Sequence, residues 1–178
     1  DSSDNIIVAG YSNVSGANDF IVVKYNSAGT QLWNTSFDTG FADIATKVAV
    51  DSGDNIYVSG YQTTSPQRED FVTVKFNSSG SYVWNQTINK SLRDIENGVA
   101  IDNNDNVVVT GQTGVAGAYD YFTMFFYPNS TQQFNLTFDA GDDLAVDVAT
   151  DSDNSIIVAG FSDSVSASGN DDYFVLKY

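Results

Sequence analysis

The sequence predicts an all-β chain, a β-propeller of four-stranded antiparallel blades, with about three and a half to four blades in its 178 residues. Three observations predict it. The stretch DSGDNIYVSG at 51–60 returns as DSSDNIIVAG at 1–10, DNNDNVVVTG at 102–111 and DSDNSIIVAG at 151–160, so the leading aspartates stand 50, 51 and 49 residues apart. The apolar residues fall in short runs rich in Val, Ile, Tyr and Phe, bounded by Gly, Asn, Asp and Ser, and no window sustains a helical stripe. Each period holds four such runs. A small sheet with two apolar faces cannot bury both alone, so copies must stand side by side, radially about an axis.

The first unit (about 1–42) opens on a second strand, Asn5–Ala9, with no inner strand before it. The second unit (43–93) is complete: Ala45–Val50, a turn at 51–54, Asn55–Ser59, a polar loop, Phe71–Phe76, a turn at Asn77-Ser78-Ser79-Gly80, and Tyr82–Ile88. The third (94–142) repeats it as Gly98–Ile101, Asn106–Thr110, Tyr121–Phe126 and Gln132–Phe138, with Pro128 in a turn, outside any ladder. The last (143–178) ends in its third strand, Tyr173–Tyr178. Two complete blades flanked by two three-stranded ones are expected, within a single propeller domain or segment over 1–178. A lone four-bladed ring, a slice of a larger propeller, and neighbouring subunits that supply the missing strands all satisfy this count.

Further positions keep the same beat. Asp43, Asp94 and Asp143 each lie eight residues before Asp51, Asp102 and Asp151; Asp19, Asp70, Asp120 and Asp172 each open a third strand. Trp33, Trp84 and Phe134 follow the first three of those by fourteen residues and read as packing between blades. Lys24, Lys75 and Lys177 share one position, which Phe125 takes in the third unit. A lysine flanked by apolar residues needs a carboxylate partner, and the recurring aspartates are the candidates. Taken together, these residues resemble the secreted bacterial and archaeal β-propeller repeat family, often met in seven-bladed form: D-x-x-D/G-N-I-Y-V-S-G, then D-F-x-x-x-K-F-N-x-x-G-x-x-x-W, then D-x-x-x-x-V-A-x-D. The resemblance spans essentially the whole chain. It implies architecture and an extracellular or cell-surface address, not a reaction.

The formal charge is −16, and Glu69 and Glu96 are the only glutamates, so the acid is aspartate of the turn-forming kind. Such a field repels nucleic acid and anionic lipid, and neither partner is expected. No run reaches membrane-spanning length, so insertion is not expected either. The chain starts at Asp1 without a secretion signal, as a processed chain or a piece of a longer one would. It has no cysteine and no histidine, which removes disulfides, thiolate nucleophiles, histidine bases and the usual zinc sites.

Seven N-x-S/T sequons occur. Asn34, Asn85 and Asn135 share one register, directly after the packing aromatic on the fourth strand, and are the leading glycosylation candidates; Asn13, Asn77, Asn89 and Asn129 are secondary. Asp102, Asn104 and Asn106 match the opening of an oxygen-rich calcium loop, and Asp151 and Asp153 resemble it, without the glycine and distal glutamate of an EF-hand. Turn chemistry accounts for the same residues, and no cofactor is expected. The adjacent pairs Asp142–Asp143 and Asp171–Asp172 point to opposite faces of a strand, and serines lack a histidine to activate them. The expectation is therefore a non-enzymatic, extracellular structural or adhesive propeller, glycosylated and assembling head to tail with copies of itself or flanking propeller segments. The alternative is a carbohydrate-binding module, with glycans meeting the aromatics Tyr11, Tyr61 and Phe161 just after the second strands; Gln112 breaks that series.

Overall fold

The computed structural model describes residues 1–13, 16–65, 68–115, 118–138, 142–162 and 172–178. Among them are fourteen strands and no helix. Blade 1 has three: β1 (Ile6–Asn13), β2 (Asn18–Tyr25) and β3 (Gln31–Phe37). Blade 2 has four: β4 (Ala42–Val50), β5 (Ile56–Ser65), β6 (Arg68–Phe76) and β7 (Tyr82–Ile88). Blade 3 repeats this as β8 (Arg93–Ile101), β9 (Val107–Val115), β10 (Ala118–Phe126) and β11 (Gln132–Phe138). Blade 4 comprises β12 (Asp143–Thr150), β13 (Ile156–Ser162) and β14 (Asp172–Lys177). Every blade is an antiparallel meander. One parallel bridge, Glu69 to Arg93, ties blades 2 and 3. The chain is a β-propeller arc.

Three cores alternate with the blades. Phe20 and Val22 of blade 1 meet Ile56, Val58, Val72, Val74 and Phe76 of blade 2. Tyr57 and Phe71 turn the other way, onto Val107, Val109, Phe122 and Met124 of blade 3. Val108, Tyr121 and Phe125 continue onto Ala145, Val148, Ile156 and Val158 of blade 4. Alternation along each strand thus serves two neighbours, which is why the central blades read as continuous apolar runs. The register aromatics Trp33, Trp84 and Phe134 pack against the three cores in turn. Among the described residues no core joins blade 1 to blade 4.

The turns bind blade to blade. In each, the fourth residue takes a left-handed backbone, with φ of 59° at Asp4, 60° at Asp54, 63° at Asp105 and 63° at Asn154. Asp and Asn tolerate this because their short polar side chains bond locally. Here they bond the preceding blade instead. Asp54 accepts from Ser2 N–H and Oγ at 2.8 and 2.7 Å, Asp105 from Ser52 in the same way, and Asn154 from Asn103 N–H at 2.9 Å.

The inner strands carry a second repeated device. In β4, β8 and β12 a bulge shifts the register between Ala45 and Lys47, Glu96 and Gly98, and Ala145 and Asp147. Opposite each bulge stands a glycine: a Cβ on Gly60, Gly111 or Gly160 would lie 2.0, 2.0 or 2.1 Å from the carbonyl oxygen of Ile44, Ile95 or Leu144. No other residue fits under that carbonyl. The bulges re-aim one side chain per blade, Thr46, Asn97 and Val146, toward the space between the inner strands.

Candidate functional site

That space is a cavity of about 450 Å³ lined by Thr46 and Lys47 of β4, Ile95 and Asn97 of β8, Gln112 of β9, and Leu144 and Val146 of β12. At its edge Lys47 Nζ lies 3.4 Å from Asp147 Oδ1, across two blades, so the two charges neutralise each other. Asn97 Nδ2 donates to the Ala145 carbonyl at 2.8 Å, which fixes the amide and leaves its oxygen free to accept.

Behind Thr46 lies Glu96, fully buried at 0% exposure. Its counterparts in the neighbouring units are Ala45 and Ala145. Thr46 Oγ1 lies 2.8 Å from Glu96 Oε2 and 3.1 Å from the Ser59 carbonyl. One hydroxyl proton serves one acceptor at a time, whereas a protonated Glu96 donates to Thr46 while Thr46 donates to Ser59, satisfying both. Burial pushes this carboxyl up to about 7, against the lowering by the Thr46 and Ser59 hydroxyls and the Lys47 charge. Glu96 Oε1 feels the Ser59 hydroxyl without a hydrogen bond of normal geometry to it, and the hydroxyl of Thr73, the cross-strand partner of Ser59, is likewise unpaired. Sequence reasoning passed over Glu96. The signal was there: a glutamate where two other units place alanine.

A second cluster sits at the blade 1–blade 2 junction, where carboxylate oxygens of Asp19, Asp38 and Asp43 lie within 4.8 Å of one another. Asp43 also accepts from Thr39 N–H at 2.9 Å and Thr39 Oγ1 at 2.8 Å. Its carboxyl is raised by burial, with the Asp38 and Asp19 charges adding to the rise. One junction further on, Asn89 replaces Asp38, and Arg68, where blade 1 has Ala17, bonds both Asp70 and Asn89. Three hard oxygen donors suit a divalent cation such as calcium, and these are not the residues that sequence pointed to.

The calcium-loop candidates are used otherwise. Asp102 Oδ1 accepts the N–H groups of Asn104 and Asn106, both at 2.8 Å, and Oδ2 accepts Asn106 Nδ2 at 2.8 Å. Asp151 Oδ1 accepts from Asp153 and Ser155 N–H, and its other oxygen lies 2.6 Å from Lys177 Nζ, a pairing that holds its carboxyl down at about 2. Lys24 pairs with Asp1 at 2.6 Å and Lys75 with Asp51 at 3.8 Å, so each repeated lysine finds its own blade's turn aspartate. Asp51 also accepts from the Tyr57 hydroxyl at 3.0 Å, and burial, reinforced by that carboxylate, raises the phenol well above its usual range.

The registered sequons lie on β3, β7 and β11, the fourth strands; Asn34 and Asn135 are exposed, and Asn85 is half-buried, accepting from Tyr82 OH at 2.8 Å. Asn77 and Asn129 accept turn N–H groups, and Asn89 joins the Arg68–Asp70 cluster. Asn13 is exposed at the end of β1, with Val14 and Ser15 outside the described residues. So is Asp171, and with it one adjacent carboxylate pair. Asp142 of the other pair accepts Tyr119 N–H at 2.8 Å, while Asp143 is buried. Tyr11, Tyr61 and Phe161 lie within strands, not loops, because the hairpins run on past Gly10, Gly60 and Gly160. Tyr11 and Phe161 are exposed.

No family model matches the chain. A curated relative, an uncharacterized WD repeat-containing protein (L264) of Acanthamoeba polyphaga mimivirus, is 28% identical over 123 residues, covering 56% of this chain and 9% of the relative. Among solved structures, a gluconolactonase from Xanthomonas campestris superposes with a TM-score of 0.52 at 11% identity, over 87% of this chain and 58% of that one. A polysaccharide lyase, an ulvan lyase of family PL25 solved with a bound saccharide, superposes with a TM-score of 0.58 at 11% identity, over 100% of this chain and 54% of that one. The chain therefore spans little more than half of the propellers it superposes on. The relative and the structures agree on a repeat β-propeller.

They also correct one expectation. The missing histidine and the absence of a familiar triad pointed away from an enzyme, yet both of these structures are enzymes on this fold. The exclusion of catalysis fails, because a propeller brings catalytic groups together from separate blades, where no single motif betrays them. At 11% identity the likeness carries the fold and not the reaction.

Proposed function

We propose that the chain is an arc of a larger propeller, a structural or adhesive element at the cell exterior of the secreted bacterial and archaeal kind its repeat resembles, which packs its end blades head to tail on further copies of itself. One observation carries this reading: the two end faces hold the residues that the internal junctions bury. Tyr173 is 70% exposed, whereas its counterparts Phe20, Phe71 and Tyr121 are 0, 1 and 0% exposed. On the opposite end Ile6 and Val8 are 52% and 49% exposed, whereas Ile56 and Val58 are fully buried. Two such faces on one molecule are complementary in the way each internal junction is, and burying them gains about 25 cal/mol per Å² of apolar area.

The turn ladder gives the same pairing polar specificity. Its ends are Ser152, at the position of Ser2 and Ser52, and Asp4, at the position of Asp54 and Asp105. Ser152 of one copy would meet Asp4 of the next. The registered asparagines stand on the outermost strands, and Asn34 shares a cross-strand row with Val23 and Val8 of the exposed blade 1 face, so a glycan there would sit at the outer rim of the proposed junction.

The chain lacks cysteine, so the reading has a clean test. Asp4→Cys and Ser152→Cys variants, mixed and cross-linked with a short thiol reagent, form mixed dimers, and light scattering of the unmodified chain shows mass rising with concentration. Tyr173→Asp abolishes both. A monomer at every concentration, or cross-linking that Tyr173→Asp leaves intact, overturns the proposal.

A further inference from the structure

We propose that the cavity between the inner strands is a binding site for a small, uncharged, hydroxyl-bearing molecule of sugar or polyol type, to which Thr46 relays the buried Glu96 carboxyl. Three features of the cavity point to that chemistry. Its size, about 450 Å³, lies within the range of small-molecule sites and suits one or two sugar rings. Its lining alternates hydrogen-bonding groups (the Thr46 hydroxyl, the free Asn97 oxygen, the Gln112 amide) with aliphatic walls from Ile95, Leu144 and Val146. A saccharide, with hydroxyls around its rim and C–H groups on its faces, matches both. Finally, on a chain of net charge −16 this cavity is locally neutral, because its one cation, Lys47, is paired with Asp147. Neither an anion nor a cation would find an unspent partner.

Glu96 adds what a packing residue would not. It replaces the alanine of the neighbouring units at a fully buried position, and one of its oxygens makes no hydrogen bond of normal geometry. Leaving a buried polar atom unmatched is costly, and such exceptions call for a purpose. The other oxygen reaches the cavity through a single hydroxyl, that of Thr46, which can donate or accept. When Thr46 accepts a hydrogen bond from protonated Glu96, its own proton can swing from the Ser59 carbonyl to a ligand oxygen; when a ligand hydroxyl donates, Thr46 turns its proton toward Glu96 or Ser59. The pair thus presents an adaptable donor or acceptor without a charge in the cavity. Glu96 is a positioning residue here, acting through Thr46.

The test titrates the full chain with D-glucose and with D-glucuronate, which has the same ring and one negative charge, and follows the side-chain amide resonances of Asn97 and Gln112 by NMR. Saturable shifts at both amides with glucose, at least about tenfold weaker with glucuronate, are expected. Thr46→Val weakens glucose binding about tenfold. Glu96→Gln, which keeps a donor and an acceptor, retains binding, and Glu96→Ala loses it while the unchanged remainder of the spectrum reports an intact fold. Absence of a saturable shift with glucose, equal binding of glucuronate, or binding indifferent to Thr46→Val overturns the proposal.

Discussion

Replacing Glu96 with glutamine is the sharpest probe of the inner-strand cavity. In the folded chain the carboxyl titrates at about 7, against an ordinary value of 4.5. The folded state holds this proton more tightly than the unfolded one, so raising the pH penalises the fold. The penalty is absent below about pH 4.5, grows through the window, and is complete above about pH 7. Between those limits it amounts to about 3 kcal/mol, a sizeable share of a domain's stability. Glutamine keeps the shape and a donor for Thr46 but cannot ionise. Urea unfolding of both proteins at a series of pH values from about 4.5 to 8 isolates the effect, because every other carboxylate titrates alike in the two. The stability of Glu96→Gln relative to the parent should rise across that window by up to about 3 kcal/mol. A difference that stays flat with pH would show that Glu96 is solvated or charge-paired in the folded state, and the reasoning from its burial would fail.

Other residues make comparably direct claims. Gly111→Ala should cost at least about 3 kcal/mol in urea unfolding, since the new methyl meets the Ile95 carbonyl oxygen at 2.0 Å with backbone on both sides. Gly10→Ala, at the equivalent strand position of blade 1 where nothing lies within 4 Å, should be nearly neutral in the same assay. Asp105→Ala removes an exposed clasp on Ser52 and puts alanine at a left-handed backbone, so it should cost about 1–2 kcal/mol, more than Ser52→Ala, with a double-mutant cycle between the two isolating the share of the clasp. Asp38→Asn should raise thermal stability at neutral pH in metal-free buffer, because it relieves like charge around Asp43 as Asn89 does in the next blade, and the gain should vanish once acid protonates the cluster.

The fold was legible because a propeller repeats one local problem. Strands were visible from period-two runs of Val, Ile and Phe between Asp, Asn and Gly turns, and their order from the spacing of Asp1, Asp51, Asp102 and Asp151. The packing role of Trp33, Trp84 and Phe134 and the need of each lysine for a carboxylate followed from the same register. Strand ends were less legible: β5 runs to Ser65 and β6 starts at Arg68, since cross-strand partners such as Tyr61 and Phe71 extend the hairpin beyond its apolar segment. Attention to turn carboxylates drew the metal reading to Asp102 and Asp151, whereas three carboxylates converge at Asp19, Asp38 and Asp43, which arrive from two blades.

The sequence by itself determined the strand chemistry, the repeat, the three-stranded end blades and the acidic surface, because each of these is written in residues close together along the chain. Only the tertiary structure decided which face of each strand meets which neighbour, which bulges turn Thr46, Asn97 and Val146 inward, and that Glu96 sits in a dry place behind Thr46. The physical reason is distance. Lys47 and Asp147 lie a hundred residues apart in sequence and 3.4 Å apart in space, and the burial that changes a carboxyl's acidity is made by blades brought together only when the arc has formed.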